Sequence, residues 1–132
     1  MAFDPRRHYP LGSERPDLVT TPGGLSLDEL SLDAAIDPSE LRATPATLRL
    51  QAEVADAAGR SQLAENLRRA AELAPLPDDT ILEIYTSLRP GRSTGVELES
   101  WARRLEELGA PLTAAFVRDA LHVYESRGLL AA

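Results

Sequence analysis

The 132-residue sequence has no cysteine, and all fourteen of its basic residues are arginine, so lysine is missing too. Without cysteine there is no disulfide framework, no Cys-based zinc site, no iron–sulfur cluster and no thiol nucleophile. Without lysine there is no Schiff base and no P-loop Gly-Lys-Ser/Thr. Catalytic signatures are also missing: no G-x-S-x-G, H-E-x-x-H, G-x-G-x-x-G or EF-hand loop occurs. No apolar run approaches the ~20 residues of a spanning helix, and the opening residues lack the apolar core of a signal peptide. A soluble, cytoplasmic protein without a membrane segment is therefore expected. The net charge of −7 (14 − 21) argues against nucleic acid as a partner, because affinity there rests on neutralised phosphates.

The chain has enough length for one ordinary domain, which removes roughly two-thirds of its unfolded surface from water without metals or disulfides. Four of the ten prolines (Pro5, Pro10, Pro16 and Pro22) fall early, and Gly23-Gly24 follows them. Proline fixes φ, removes a donor and biases its predecessor away from the α region. Residues 1–24 are accordingly read as an extended arm that orders by lying against another surface, and residues 25–132 as a helical domain.

From residue 31 the chain reads as helices separated by caps and breakers. Asp37-Pro38 and Thr44-Pro45 each place a capping residue before a proline suited to the first helical position. Residues 45–74 give two helices broken at Gly59, the first carrying Leu48, Val54, Ala55 and Ala58, the second Leu63, Leu67, Ala70 and Ala71. Asp78 or Asp79 is expected to cap the next, with Ile81, Leu82, Ile84, Tyr85 and Leu88 on one face and Pro90 at its end. Thr94 and Glu97 make a capping-box pair ahead of Leu98, Trp101, Ala102, Leu105 and Leu108, with Gly109 as the stop. A last helix starts at Pro111 and ends near Gly128, with Leu112, Phe116, Ala120, Leu121 and Tyr124 expected inward. The fold class is all-α: a compact helical bundle of about five main helices, with one or two short ones between 31 and 43, preceded by the extended arm.

No active site can be assembled from these residues. His8 and His122 are read as isolated surface histidines, and a metal site needs three or four convergent ligands. Asp78-Asp79 reads as helix-terminus chemistry rather than a catalytic carboxylate pair. Catalytic, cofactor-binding and metal-ligating residues are all set at none. Tyr9, Pro10 and Leu11 are taken as interface anchors, since tyrosine combines a large apolar area with a polar tip. Arg89 and Arg92, around Pro90-Gly91, have two readings. They can grip a partner's carboxylate or a phosphate in bidentate fashion, or neutralise the carbonyls at the preceding helix end.

Tyr9-Pro-Leu11, Thr44-Pro-Ala-Thr-Leu-Arg-Leu-Gln-Ala52, Arg69-Ala-Ala-Glu-Leu73, Pro77-Asp-Asp-Thr-Ile-Leu-Glu-Ile-Tyr85, Leu88-Arg-Pro-Gly-Arg-Ser-Thr94 and Ala114-Ala-Phe-Val-Arg118 stand in register. Followed by Tyr124, they resemble the small (gamma) subunit of adenosylcobalamin-dependent diol and glycerol dehydratases, from about Tyr9 to Arg127. The resemblance implies a mostly helical, non-catalytic subunit that packs on a large catalytic subunit, within a heterohexamer that also contains a medium subunit. It implies adenosylcobalamin held by the other subunits, and radical dehydration of a 1,2-diol or glycerol to an aldehyde, a lyase reaction. Three features depart from the pattern. Only eight residues precede Tyr9, so the longer extension linked to packaging in a bacterial microcompartment is not matched. Gly91 replaces a usual aromatic residue, and the C-terminal Gly128-Leu-Leu-Ala-Ala lacks a basic tail. A free-standing helical adaptor with the same fold is the alternative. A helix-turn-helix DNA binder over residues 79–108 is disfavoured by charge.

Overall fold

A computed structural model describes residues 2–29 and 43–132. Six α-helices occur there: α1 (Leu11–Glu14), α2 (Pro45–Ala57), α3 (Ser61–Leu73), α4 (Asp78–Ser87), α5 (Gly95–Glu107) and α6 (Pro111–Arg127). The only bridge-type pairing among the described residues is an isolated contact between Thr20 and Ser26, so the all-α expectation holds. The five longer helices are the five expected from caps and breakers. The Asp37-Pro38 cap and the short helices expected between 31 and 43 lie outside the described residues.

Local chemistry explains most boundaries. Thr44 caps α2 by accepting the Thr47 N–H at 3.2 Å, with Pro45 in the first helical position. Thr94 caps α5 in the same way, accepting from the Glu97 N–H at 3.2 Å. Gly59, Gly109 and Gly128 follow α2, α5 and α6 with φ of 77°, 82° and 67°, the left-handed region that side chains disfavour. The start of α4 corrects the sequence reading. Pro77 occupies the cap position, and Asp78 and Asp79 are its first two helical residues, where carboxylates complement the helix dipole and Asp79 accepts the Thr80 N–H at 2.8 Å.

The described residues form two compact units, Met1–Ala74 and Pro75–Ala132. In the first, α2 packs on α3 across a short turn, with Ala52, Ala55 and Ala64 buried together and Leu67 against them. Small side chains let these helices approach closely. The described residues of the 1–24 segment belong to this unit and include two short helical turns. Pro10 and Pro16 start turns instead of preventing them: Pro10 precedes α1, and Pro16 opens a 3-10 turn through Leu18. α1 rests on α2, and the Thr20 N–H reaches the Thr47 hydroxyl at 3.5 Å.

In the second unit α5 packs on α6, and Leu98, Leu105 and Val117 are its largest fully buried side chains. The buried residues of α6 are Thr113, Ala114 and Val117, with Leu121 and Tyr124 partly buried on the same face. Leu112 and Phe116, expected inward, are 48% and 42% exposed. The helix is rotated by one residue from its bulkiest stripe, because the smaller row at 113, 114 and 117 permits the α5–α6 approach.

Candidate partner-binding surfaces

Two places bring the sequence-selected residues to the surface in defined geometry. The first lies in the N-terminal unit. The Arg7 and His8 N–H groups donate to the Asp4 carbonyl at 3.1 and 3.0 Å, closing a turn, and the Asp4 N–H donates to His8 Nδ1 at 2.9 Å. His8 is therefore buried, beside the Phe3 ring at 5.9 Å. This corrects the surface reading of that residue, since the four-residue turn folds the imidazole back on its own backbone. His122, by contrast, has 78% of its side chain exposed.

The turn delivers Tyr9, Pro10 and Leu11 to a cleft of about 330 Å³. Leu11 is buried, whereas Tyr9, joined to Pro10 by a cis peptide, remains 60% exposed. Val54, Leu63 and Leu67 from α2 and α3 complete the apolar lining, and Gln51 and Arg60 contribute polar groups. Leu63, one of the apolar residues the sequence places on this helix, is exposed at the rim of this cleft. Its helical spacing fits a core or a rim position.

The second place is the turn after α4. The two carbonyls at the end of that helix are taken by neutral groups. The Ser93 hydroxyl donates to the Ser87 carbonyl at 2.8 Å, and the Tyr124 hydroxyl donates to the Leu88 carbonyl at 2.5 Å. The C-terminal residues then clasp the turn. The Gly91 N–H donates to the Leu129 carbonyl at 2.6 Å, and the Ala131 N–H to the Ser93 carbonyl at 2.8 Å. Gly91 has φ of 76°, so a residue with a side chain here would be strained. Arg89 and Arg92 are thus mounted on a turn fastened from both sides, and both are exposed. Neither guanidinium has a carboxylate partner among the described residues. Helix closure, one of the two readings of these arginines, is supplied by Tyr124 and Ser93. The sequence marks Tyr124 as an inward aromatic and as part of the family pattern, but its bond to Leu88 and the clasp leave no local pattern to find.

A charge network links α5 and α6. Arg118 on α6 holds Glu99 of α5 at 3.1 Å and also pairs with Glu106, while Arg103 lies 3.6 Å from Glu99. Hydrogen bonding from Arg118 lowers the Glu99 carboxyl below its usual range, and the two carboxylates hold the Arg118 guanidinium further toward its charged form. No group of three or more His, Cys, Asp or Glu side chains suited to a metal occurs among the described residues. Nor is any described helix long and apolar enough to cross a membrane.

The fold and these surfaces define a helical protein with exposed apolar and arginine-bearing side chains. It belongs to the dehydratase small subunit family, whose pattern matches residues 5–131. It is 48% identical over 124 residues to the propanediol dehydratase small subunit of Citrobacter freundii, covering 90% of this chain and 72% of that one. The propanediol dehydratase small subunit of Salmonella typhimurium is 47% identical with the same coverage.

Proposed function

We propose that this chain is the non-catalytic small subunit of a cytoplasmic, adenosylcobalamin-dependent dehydratase acting on propane-1,2-diol or glycerol. The observation that carries this reading is the 48% identity, spread over 90% of the chain, to a propanediol dehydratase small subunit. The partners are the large and medium subunits of the same complex, within a heterohexamer. Tyr9 and Pro10 on one unit, and Arg89 and Arg92 on the other, are assigned to those contacts, while Leu11, expected among the anchors, is buried and holds the segment to its own helices.

The cofactor is assigned to the other subunits because this chain's described residues suit it poorly. The N-terminal cleft is lined mostly by apolar side chains, Tyr9, Leu11, Val54, Leu63 and Leu67, with Gln51 and Arg60 as its polar groups, few donors for an amide-fringed corrin. Of the two histidines, His8 is buried with Nδ1 already accepting a hydrogen bond, and His122 stands alone on the surface. What the chain supplies in this reading is binding energy. A subunit that associates only with the native assembly shifts the equilibrium toward that assembly.

Co-expression with the large and medium subunits tests the reading. The tagged chain should co-purify with both and prolong dehydratase activity on propane-1,2-diol or glycerol, with little change in Michaelis constant. Tyr9→Ala, at an exposed position, should weaken the complex without altering the isolated chain's melt. Failure of the wild-type chain to co-purify would favour the adaptor alternative. A point variant that assembles fully yet loses turnover by orders of magnitude would refute the non-catalytic role.

A further inference from the structure

Around the fastened arginine turn, α4 and α5 leave a row of side chains that the core does not use. Leu82 and Tyr85 lie at helical spacing on α4 and are 66% and 58% exposed, and Arg89 follows in the turn beyond the helix end. A shallow depression brings Leu82 and Thr86 of α4 together with Arg92 and with Trp101 of α5. A second depression adjoins it through Trp101 and contains Val96 and Arg104. Val96 is 82% exposed, and the Arg104 guanidinium sits 5.0 Å from the Trp101 ring centroid. Tryptophan, tyrosine and arginine are the side chains that most often dominate binding energy at interfaces.

From this arrangement we infer that the α4–α5 face is a docking site for a carboxylate-bearing segment of another dehydratase subunit. The carboxylate pairs with Arg92, assisted by Arg89, and an apolar side chain of the same segment covers Leu82 and Trp101. Charge complementarity identifies the occupant. In a chain of net charge −7, these two exposed guanidiniums have no internal carboxylate among the described residues, and the fastened turn limits the ordering cost of binding. Glu83 and Glu97 line the same depression and would repel an acidic group placed centrally, so the carboxylate belongs at the Arg92 end. The inference rests on the subunit reading and adds the face, and the chemistry of what covers it.

The test uses the full chain co-expressed with the other subunits, with association measured by pull-down and calorimetric titration. Arg92→Glu and Leu82→Asp should each weaken association at least about tenfold, because a rejected charge or an uncovered apolar contact at an interface centre costs on the order of 1.4 kcal/mol or more. Arg92→Lys should recover part of the loss, since an ammonium keeps the charge and loses the fork. Val96→Asp, at a still more exposed position, serves as the second apolar probe if Leu82→Asp lowers the isolated chain's thermal melt. If the wild-type chain associates and Arg92→Glu, Leu82→Asp and Val96→Asp all bind as it does, this inference falls while the subunit reading stands. If the wild-type chain does not associate at all, both fall. If the isolated chain dimerises, and Leu82→Asp abolishes only that dimer, the occupant is a second copy and the inference is overturned.

Discussion

Tyr124→Phe removes one oxygen and little volume, which makes it a sharp probe of how the arginine turn is held. The hydroxyl donates to the Leu88 carbonyl, the first main-chain acceptor past α4, and its loss leaves that acceptor to water. A net intramolecular hydrogen bond contributes about 1 kcal/mol, rising toward about 3 kcal/mol when the stranded group is cut off from solvent. Tyr124 and Leu88 are both only partly buried, so water can reach the carbonyl and the lower figure applies. With a urea m-value of about 2 kcal/mol per molar, the unfolding midpoint should fall by about 0.5 M at unchanged slope. Hydrogen exchange should quicken at Gly91, whose N–H is bound to Leu129 in the same clasp. Ser93→Ala removes the neighbouring bond to Ser87, and the double variant should cost less than the sum of the singles if one local opening serves both. A midpoint shift under about 0.1 M together with unchanged exchange at Gly91 would refute the clasp as the element that fixes the turn.

Two further perturbations follow from packing and charge. Leu105→Ala, at a position with no exposure, should cost about 2–5 kcal/mol, whereas Leu108→Ala three residues later, 43% exposed, should cost under about 1 kcal/mol, both by chemical denaturation. Equal losses would mean the phase of α5 is wrong. Acidification should weaken the second unit through Glu99, whose folded pKa lies below its ordinary value of 4.5. The ion pair's contribution is fully present above that ordinary value and is lost as pH falls through the lower folded pKa. The wild type should therefore lose more thermal stability between about pH 5 and pH 2 than Arg118→Leu does.

Caps and breakers carried the sequence reading furthest, because their chemistry is complete within four residues. Thr44 with Thr47, and Thr94 with Glu97, need nothing from elsewhere in the chain. The readings that moved depended on partners distant in sequence, or on which of two adjacent rows a helix buries. Leu112 and Phe116 have the size of core residues, yet α6 turns its smaller row toward α5, and only the paired surface decides that. Tyr9, Pro10 and Leu11 were legible as apolar points on a proline-rich segment. Their division into one buried leucine and one exposed tyrosine required the cleft between that segment and the α2–α3 pair. The fastening of Arg89 and Arg92 depends on main-chain groups of residues 129 and 131, about forty positions away, and main-chain groups leave no compositional trace.

The two helical pairs also bear on how such a chain is made. α2 joins α3 through Ala58–Arg60, and α5 joins α6 through Leu108–Ala110, so each principal packing surface forms between neighbours in sequence. Contacts of that range close quickly, because little loop entropy is lost before packing begins. The α2–α3 pair lies ahead of α5 in the chain, and its packing needs no residue of α5. The chain then reaches its partner with helices already formed, and assembly becomes an encounter of finished surfaces whose rate follows subunit concentration.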